Sequence, residues 1–276
     1  MFGKAKIGIA FGGGGARGFT HLGVIKALEE HGLKFDCVAG TSVGSFVGAF
    51  YASGKSYKEL YDIAKLINKK DIKTGVIPFV PSKTDGIQQI IKDNLGDINI
   101  EELKMPFTAV AVDLKSTKQV CISKGNLAKA VAGSCSVPGV FVPVEFENLL
   151  LTDGGLQNTI PADVLRVMGC DYVIAIDCNK SRLYGTDSSK VFDVISCSIR
   201  ILMQSNSIKG YLESDIIIGP ETKRFKSTQF QGMEEMIEEG YKETIDMMPK
   251  IRALFKKKEP LFKKRTHKSK DIIYID

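Results

Sequence analysis

Short apolar blocks alternate along this chain with stretches in which apolar residues recur every three or four positions. The first block, Lys6–Phe11, is bounded by glycine and predicts a buried strand. Leu22, Ile25 and Leu28 then fall on one face of a helix over His21–His31, with Gly32 placed to end it. Phe35–Ala39 predicts a second strand, and the small residues of Val43–Ala52 a second helix. Strand, helix, strand, helix within so short a span predicts parallel pairing with right-handed crossovers. Ser56-Tyr57-Lys58-Glu59 reads as a capping box at the head of an amphipathic helix reaching about Asn68.

Residues 72–84 break the pattern with two prolines among exposed-looking apolar residues. They predict a loop, either a lid over an apolar pocket or a segment pinned to the core by Ile77, Phe79 and Val80. Asp85 is placed to cap a helix with Ile87, Ile90, Ile91 and Leu95 inward, stopped by Gly96. Phe107–Leu114 and Gln119–Ser123 predict a hairpin, Asn126–Ala132 a short helix, and Leu149–Thr152 a strand ending in Asp153-Gly154-Gly155. Further on, Ala162–Met168 predicts a helix, Tyr172–Asp177 a strand and Lys190–Met203 a long apolar-faced helix. Ser214–Ile218 predicts the last strand and Met233–Met248 a surface helix. The expectation is an α/β fold, a main body over residues 1–250 with a mixed, mostly parallel sheet, followed by a basic tail over 251–276.

Composition changes this picture little. At 276 residues and 43% apolar, the chain has ample material for a core. The six cysteines lack metal-ligand spacing and sit mostly among apolar neighbours, so we expect reduced core residues, no structural zinc and a cytoplasmic protein. No apolar run reaches the roughly 18 residues of a membrane span, and Ile7–Phe11 is too short for a signal peptide. Charge is more informative through its location. Lys256, Lys257, Lys258, Lys263, Lys264, Arg265, Lys268 and Lys270 stand against Glu259 alone and outweigh the whole net charge of +6. The body is thus nearly neutral, and no nucleic-acid partner is expected. The basic segment reads as a solvated tail or, with Leu261 and Phe262 inside it, as a peripheral contact of Lys256–Lys270 with anionic membrane.

The candidate chemistry gathers at three glycine-marked sites. Gly40-x-Ser42-x-Gly44 has the spacing of a nucleophile elbow, in which a strand turns at once into a helix and only glycine fits two positions either side of the serine. Upstream, Gly13-x-Gly15-x-x-Gly18 also satisfies a dinucleotide fingerprint, with Asp36 as its acidic residue. Asp36, however, begins its strand, and no Gly-Lys-Ser/Thr follows Gly18, so phosphate binding fits poorly. The loop fits an oxyanion hole better, because consecutive glycines before a helix aim several N–H groups at one spot. Arg17 adds positive charge there or holds the loop through a carboxylate. A serine nucleophile needs a base. His267 lies in the basic tail, His31 ends a helix, and His21 reads mainly as a packing or hydrogen-bonding residue. A Ser–His–Asp triad is therefore disfavoured. Of the strand-ending acids, Asp113 suits a turn, Asp177 lacks glycine neighbours, and Asp153 has two; Asp153 leads.

These three motifs in this order, together with Ser134–Pro143 ahead of the third, resemble the patatin-like phospholipase family. The resemblance implies an α/β/α sandwich and a Ser–Asp dyad, with Ser42 as nucleophile and Asp153 as base, supported by Gly40, Gly44, Gly154 and Gly155. It assigns the oxyanion hole to Gly13, Gly14, Gly15, Ala16, Arg17, Gly18 and the N–H of Val43. It also implies hydrolysis of fatty-acyl esters in a lipid substrate, without metal or other cofactor. An acyltransferase or thioesterase using the same acyl-serine, and a lipid-binding regulatory protein with little catalysis, are the alternatives.

Overall fold

The computed structural model describes residues 4–69, 82–180, 185, 187–226, 230–257 and 267–276. Strands β1 (Ile7–Phe11), β2 (Cys37–Thr41) and β3 (Phe107–Asp113) are buried from end to end, as central strands covered on both faces must be. Between β1 and β2 lies α1 (Phe19–Glu30). Between β2 and β3 lie α2 (Val43–Ala52), α3 (Tyr57–Lys69) and α4 (Asp85–Leu95). The chain continues through β4 (Gln119–Ile122), α5 (Leu127–Ser134), β5 (Val144–Phe146), β6 (Leu149–Asp153), α6 (Ala162–Val167) and β7 (Tyr172–Ile176). It closes with α7 (Val191–Ser205), α8 (Ile208–Glu213), β8 (Ile216–Ile218), α9 (Met233–Phe255) and β9 (Ile272–Ile275). These strands form one mixed sheet, as the sequence pattern predicts, with helices on both sides in the three-layer arrangement that the family resemblance implies. Side-chain alternation sends Ile7, Ile9 and Phe11 into the core shared with α1, α2 and α9. It sends Ala10, Cys37, Ala39 and Val110 to the opposite face, against α6.

β3 is the pivot of the sheet. β4 runs antiparallel along one of its sides, pairing Ala109–Val112. The other side is shared end to end by two strands: β2 pairs parallel up to Thr41↔Val110, and β6 pairs antiparallel from Ala111↔Asp153 onward. The C-terminal ends of β2 and β6 therefore meet head-on over two consecutive residues of β3.

Several expectations need correction. β2 runs two residues beyond Ala39, because its pairing continues to Phe11↔Gly40 with β1 and to Thr41↔Val110 with β3. Asp85 is the first residue of α4, and Thr84 occupies the cap position. α9 extends to Phe255 across the anticipated boundary at 250, and it is more than a surface helix. A Cβ on Gly23 would lie 1.8 Å from the Ile237 carbonyl oxygen, and one on Gly240 2.0 Å from that of Thr20, so α1 and α9 cross with their backbones in contact. β8 is not the last strand either: β9, inside the anticipated tail, pairs parallel with β4 over Gln119–Ile122. Its residues Ile272–Ile275 alternate between the two cores, which the surrounding lysines masked in the sequence. Most of loop 72–84 and of Lys256–Lys270 lies outside the described residues. All six cysteines are free and buried, and among the described residues no helix is long and apolar enough to cross a membrane.

Candidate active site

With β2 ending at Thr41 and α2 beginning at Val43, Ser42 alone turns the chain. It sits at φ 54°, ψ −131°, a conformation that a residue with a side chain adopts only when its surroundings impose it. Those surroundings are the two glycines. A Cβ on Gly40 would stand 2.4 Å from the Gly44 carbonyl oxygen, and one on Gly44 2.1 Å from that of Phe11. The Ser42 carbonyl accepts from the N–H groups of Ser45 (2.8 Å) and Phe46 (3.2 Å), which fixes the start of α2. Its N–H donates to Ser134 Oγ at 2.9 Å, and Ser134 donates onward to the Val110 carbonyl at 2.6 Å. Ser134 thus ties the elbow to the pivot strand. The sequence placed it in a motif but offered no sign of this task.

The head-on meeting of β2 and β6 brings Asp153 to Ser42. Asp153 is fully buried and Ser42 is 6% exposed. Asp153 Oδ1 accepts from the Gly155 N–H at 2.8 Å, while Oδ2 makes no hydrogen bond among the described residues. Burial pushes the carboxyl pKa up to about 6, against the opposing pull of the Ser42 side chain and the Gly155 N–H. Gly154 is needed where the chain passes the pivot, since a Cβ there would lie 2.2 Å from the Val110 carbonyl oxygen. The other acids are occupied. At Asp113, burial is outweighed by the Ser116 hydroxyl and the N–H groups of Leu150, Ser116 and Lys115, which hold the pKa at about 2 in a structural turn. Asp177 accepts from the Asn179 N–H and the Tyr211 hydroxyl. Asp36 accepts the Ile7 N–H at the start of β1, the end of that strand opposite to the glycine loop, so it is placed for no ligand held by that loop.

The glycine loop lies against the elbow, with a Cβ on Gly13 reaching within 3.4 Å of Ser42 Cβ. Its N–H groups are not equivalent. Gly13 donates to the Thr159 carbonyl at 3.0 Å and Arg17 to the Gly14 carbonyl at 3.3 Å, while Gly18 closes the 3-10 turn Gly15–Gly18 and packs on Val43. The N–H groups of Gly14, Gly15, Ala16 and Val43 have no acceptor among the described residues. Arg17 proves to be a strut. It is buried, its Nε donates to the Phe225 carbonyl and its Nη1 to Asn179 Oδ1, both at 2.9 Å. Asn179 in turn donates to the Gly13 carbonyl at 2.7 Å, a support that sequence reasoning missed because Asn after a strand looks like any turn residue. His21 is buried too. Its Nε2–H donates to the Gly12 carbonyl at 2.9 Å, and burial pushes its pKa down to about 4, opposed by that bond. It is the neutral anchor of the loop, as its position in the first helical turn suggested.

Ser42, Val43 and the glycine loop border a cleft of about 780 Å³. One part is apolar, lined by Phe46 and Phe50 of α2, Leu60 and Ile63 of α3, and Ile87 and Ile90 of α4. Lys83, Lys180, Arg200 and Lys226 line it elsewhere, with Asp177 and Asp193.

A strained serine between a central parallel strand and a helix, with a glycine-rich loop beside it and an acid behind it, belongs to an α/β protein with helices on both sides of its sheet. The patatin-like phospholipase family model matches residues 9–166, more than half of the chain, and the protein belongs to that family. It is 35% identical over 180 residues to an uncharacterized NTE family protein of Mycobacterium tuberculosis H37Rv, a match covering 64% of this chain and 50% of that one. It is 36% identical over 182 residues to human patatin-like phospholipase domain-containing protein 6, covering 62% of this chain and 13% of the human one. The chain thus spans about half the length of the mycobacterial relatives it matches. Among solved structures, VipD of Legionella pneumophila aligns with a TM-score of 0.55 at 16% identity, covering 90% of this chain and 67% of that one. Human GIVD cytosolic phospholipase A2, solved with methyl gamma-linolenyl fluorophosphonate, aligns at 0.51 with 10% identity, covering 91% and 58%. Both likenesses are of fold.

Proposed function

We propose that this protein hydrolyses fatty-acyl esters of lipids, with Ser42 as nucleophile and Asp153 as its base. The observation that carries the reading is the junction of β2 and β6: it sets a serine held in a strained turn beside a buried carboxylate, at the edge of a largely apolar cleft. The family match agrees with it, as do the names of two relatives, human patatin-like phospholipase domain-containing protein 6 and the neuropathy target esterase sws of Drosophila melanogaster.

An acyl chain lies along the apolar wall with its ester carbonyl over Ser42. As Oγ attacks, its proton passes to Asp153, and the charge developing on the carbonyl oxygen is met by open N–H groups among Gly14, Gly15, Ala16 and Val43. Asp153 then gives the proton to the leaving alkoxide, and acyl-Ser42 remains. Water attacks this ester, Asp153 takes the water's proton and returns it to Ser42 Oγ, and the fatty acid departs. Burial supports this role for Asp153, since a pKa of about 6 makes it a stronger base than an exposed carboxylate yet leaves it charged at neutral pH.

The test is labelling by a fluorophosphonate together with release from acyl esters. Ser42→Ala should abolish labelling, and Ser42→Ala and Asp153→Asn should each lower ester turnover by about a thousandfold or more in a folded protein. Turnover near the wild-type rate in either variant would refute the assignment.

A further inference from the structure

α7 is built inside out for a helix in water. Val191, Val194, Ile195, Ile201 and Leu202 fall on one stripe at helical spacing, and all face outward, with exposures of 64, 45, 50, 57 and 59%. The opposite side, which walls the cleft, carries Asp193, Ser196, Arg200 and Gln204 beside Ile199 and Met203. A surface helix normally buries its apolar stripe and shows water its polar side; α7 does the reverse. Two hydroxyl residues interrupt the stripe, and both turn back on their own helix: Ser198 donates to the Val194 carbonyl at 2.9 Å and Ser205 to that of Ile201 at 3.2 Å. The stripe therefore offers its surroundings no open hydroxyl donor. α8 adds Ile208, 63% exposed.

The placement of the helix says what should cover this face. α7 is seated directly on the reacting end of the site. The Met203 side chain reaches to 2.1 Å from where a Cβ on Gly155 would lie, and the Met203 carbonyl accepts from the Thr159 hydroxyl. One helix diameter, about 10 Å, separates the outward stripe from the cleft wall. Three exposed lysines, Lys83, Lys180 and Lys226, line the same cleft and suit anionic head groups. An apolar outer face on the same helix that walls an apolar cleft, with cations lining that cleft, matches a lipid–water interface in both layers. We propose that the outer face of α7, continued by Ile208, docks this protein on a lipid bilayer, so that an acyl chain passes from bilayer to cleft without crossing water. The inference rests on the acyl-hydrolase reading for its substrate and on the exposed stripe for its surface.

The chain contains no tryptophan, which makes one introduced on the stripe a clean reporter. In a Ser42→Ala background, Leu202→Trp should show blue-shifted emission with mixed phosphatidylcholine–phosphatidylglycerol vesicles. In the same background, Ile195→Glu with Leu202→Glu should weaken vesicle partitioning about tenfold or more. The same pair with Ser42 intact should keep its circular dichroism and its rate on a water-soluble short-chain ester. An unshifted tryptophan, or vesicle binding undiminished by the glutamates, would overturn the proposal. Undiminished binding together with loss of a wild-type dimer would assign the stripe to a second copy of the chain instead. Because docking is read without Ser42, the two readings fail separately. Stripe-dependent binding without ester cleavage by the wild type removes the hydrolase, and cleavage with stripe-independent binding removes the docking surface.

Discussion

Asp153 holds its carboxyl group where charge is disfavoured, and two consequences follow at the scale of this residue. The proposed mechanism needs the carboxylate, so ester turnover should rise as pH increases through about 6 and level off above it. A pH–rate profile that stays flat from pH 5 to 8 would contradict this. The second consequence is thermodynamic. The folded pKa of about 6 lies above the ordinary 3.8, so folding favours the protonated form. The associated stability is fully present below about pH 4 and is lost as pH rises through 6. Asp153→Asn should therefore be more stable than wild type at pH 8, by roughly 3 kcal/mol, with the gap closing toward pH 4. Paired melting curves across that range would read it directly; a gap independent of pH would mean that the carboxylate is not held as described.

Among the elements, the crossing of α1 and α9 is the least forgiving. Gly23 sits inside a helix, where glycine ordinarily weakens structure relative to alanine. Here a Cβ would meet the Ile237 carbonyl at 1.8 Å, in the backbone of a helix that cannot rotate away as a side chain can. Gly23→Ala should therefore destabilise the fold by about 3 kcal/mol despite its better helix propensity. Denaturant unfolding would check it, and a stabilised variant would show that the helices can separate without cost. The expected capping box at Ser56 and Glu59 does form, with Glu59 accepting from the Ser56 N–H at 2.9 Å, because such a motif depends only on residues three apart. The helix crossing depends on residues more than two hundred positions apart, and no local pattern reports it.

For the whole molecule, β9 decides how the C-terminal segment should be understood. The lysine-rich stretch before it reads as a tail, yet Ile272–Ile275 covers the edge of β4 and closes that side of the sheet. Removing residues 270–276 should lower the melting temperature by several degrees and promote aggregation through the exposed edge of β4; an unchanged melt would show that the strand contributes little. Any membrane contact of Lys256–Lys270 is accordingly better tested by replacing lysines than by truncating after Phe255, which would remove a strand as well. Much of this fold was legible in the sequence. Strand–helix alternation, the glycine spacing around Ser42 and the lone Asp-Gly-Gly after a strand are local patterns, and local sterics alone dictate what they can form. Tertiary structure decided the rest. It set β2 and β6 end to end on β3, spent the Gly13 N–H on Thr159, turned Arg17 into a strut, and left the apolar stripe of α7 facing outward. Each of these depends on which distant segment comes to lie alongside, and the spacing of residues along a chain carries no record of that.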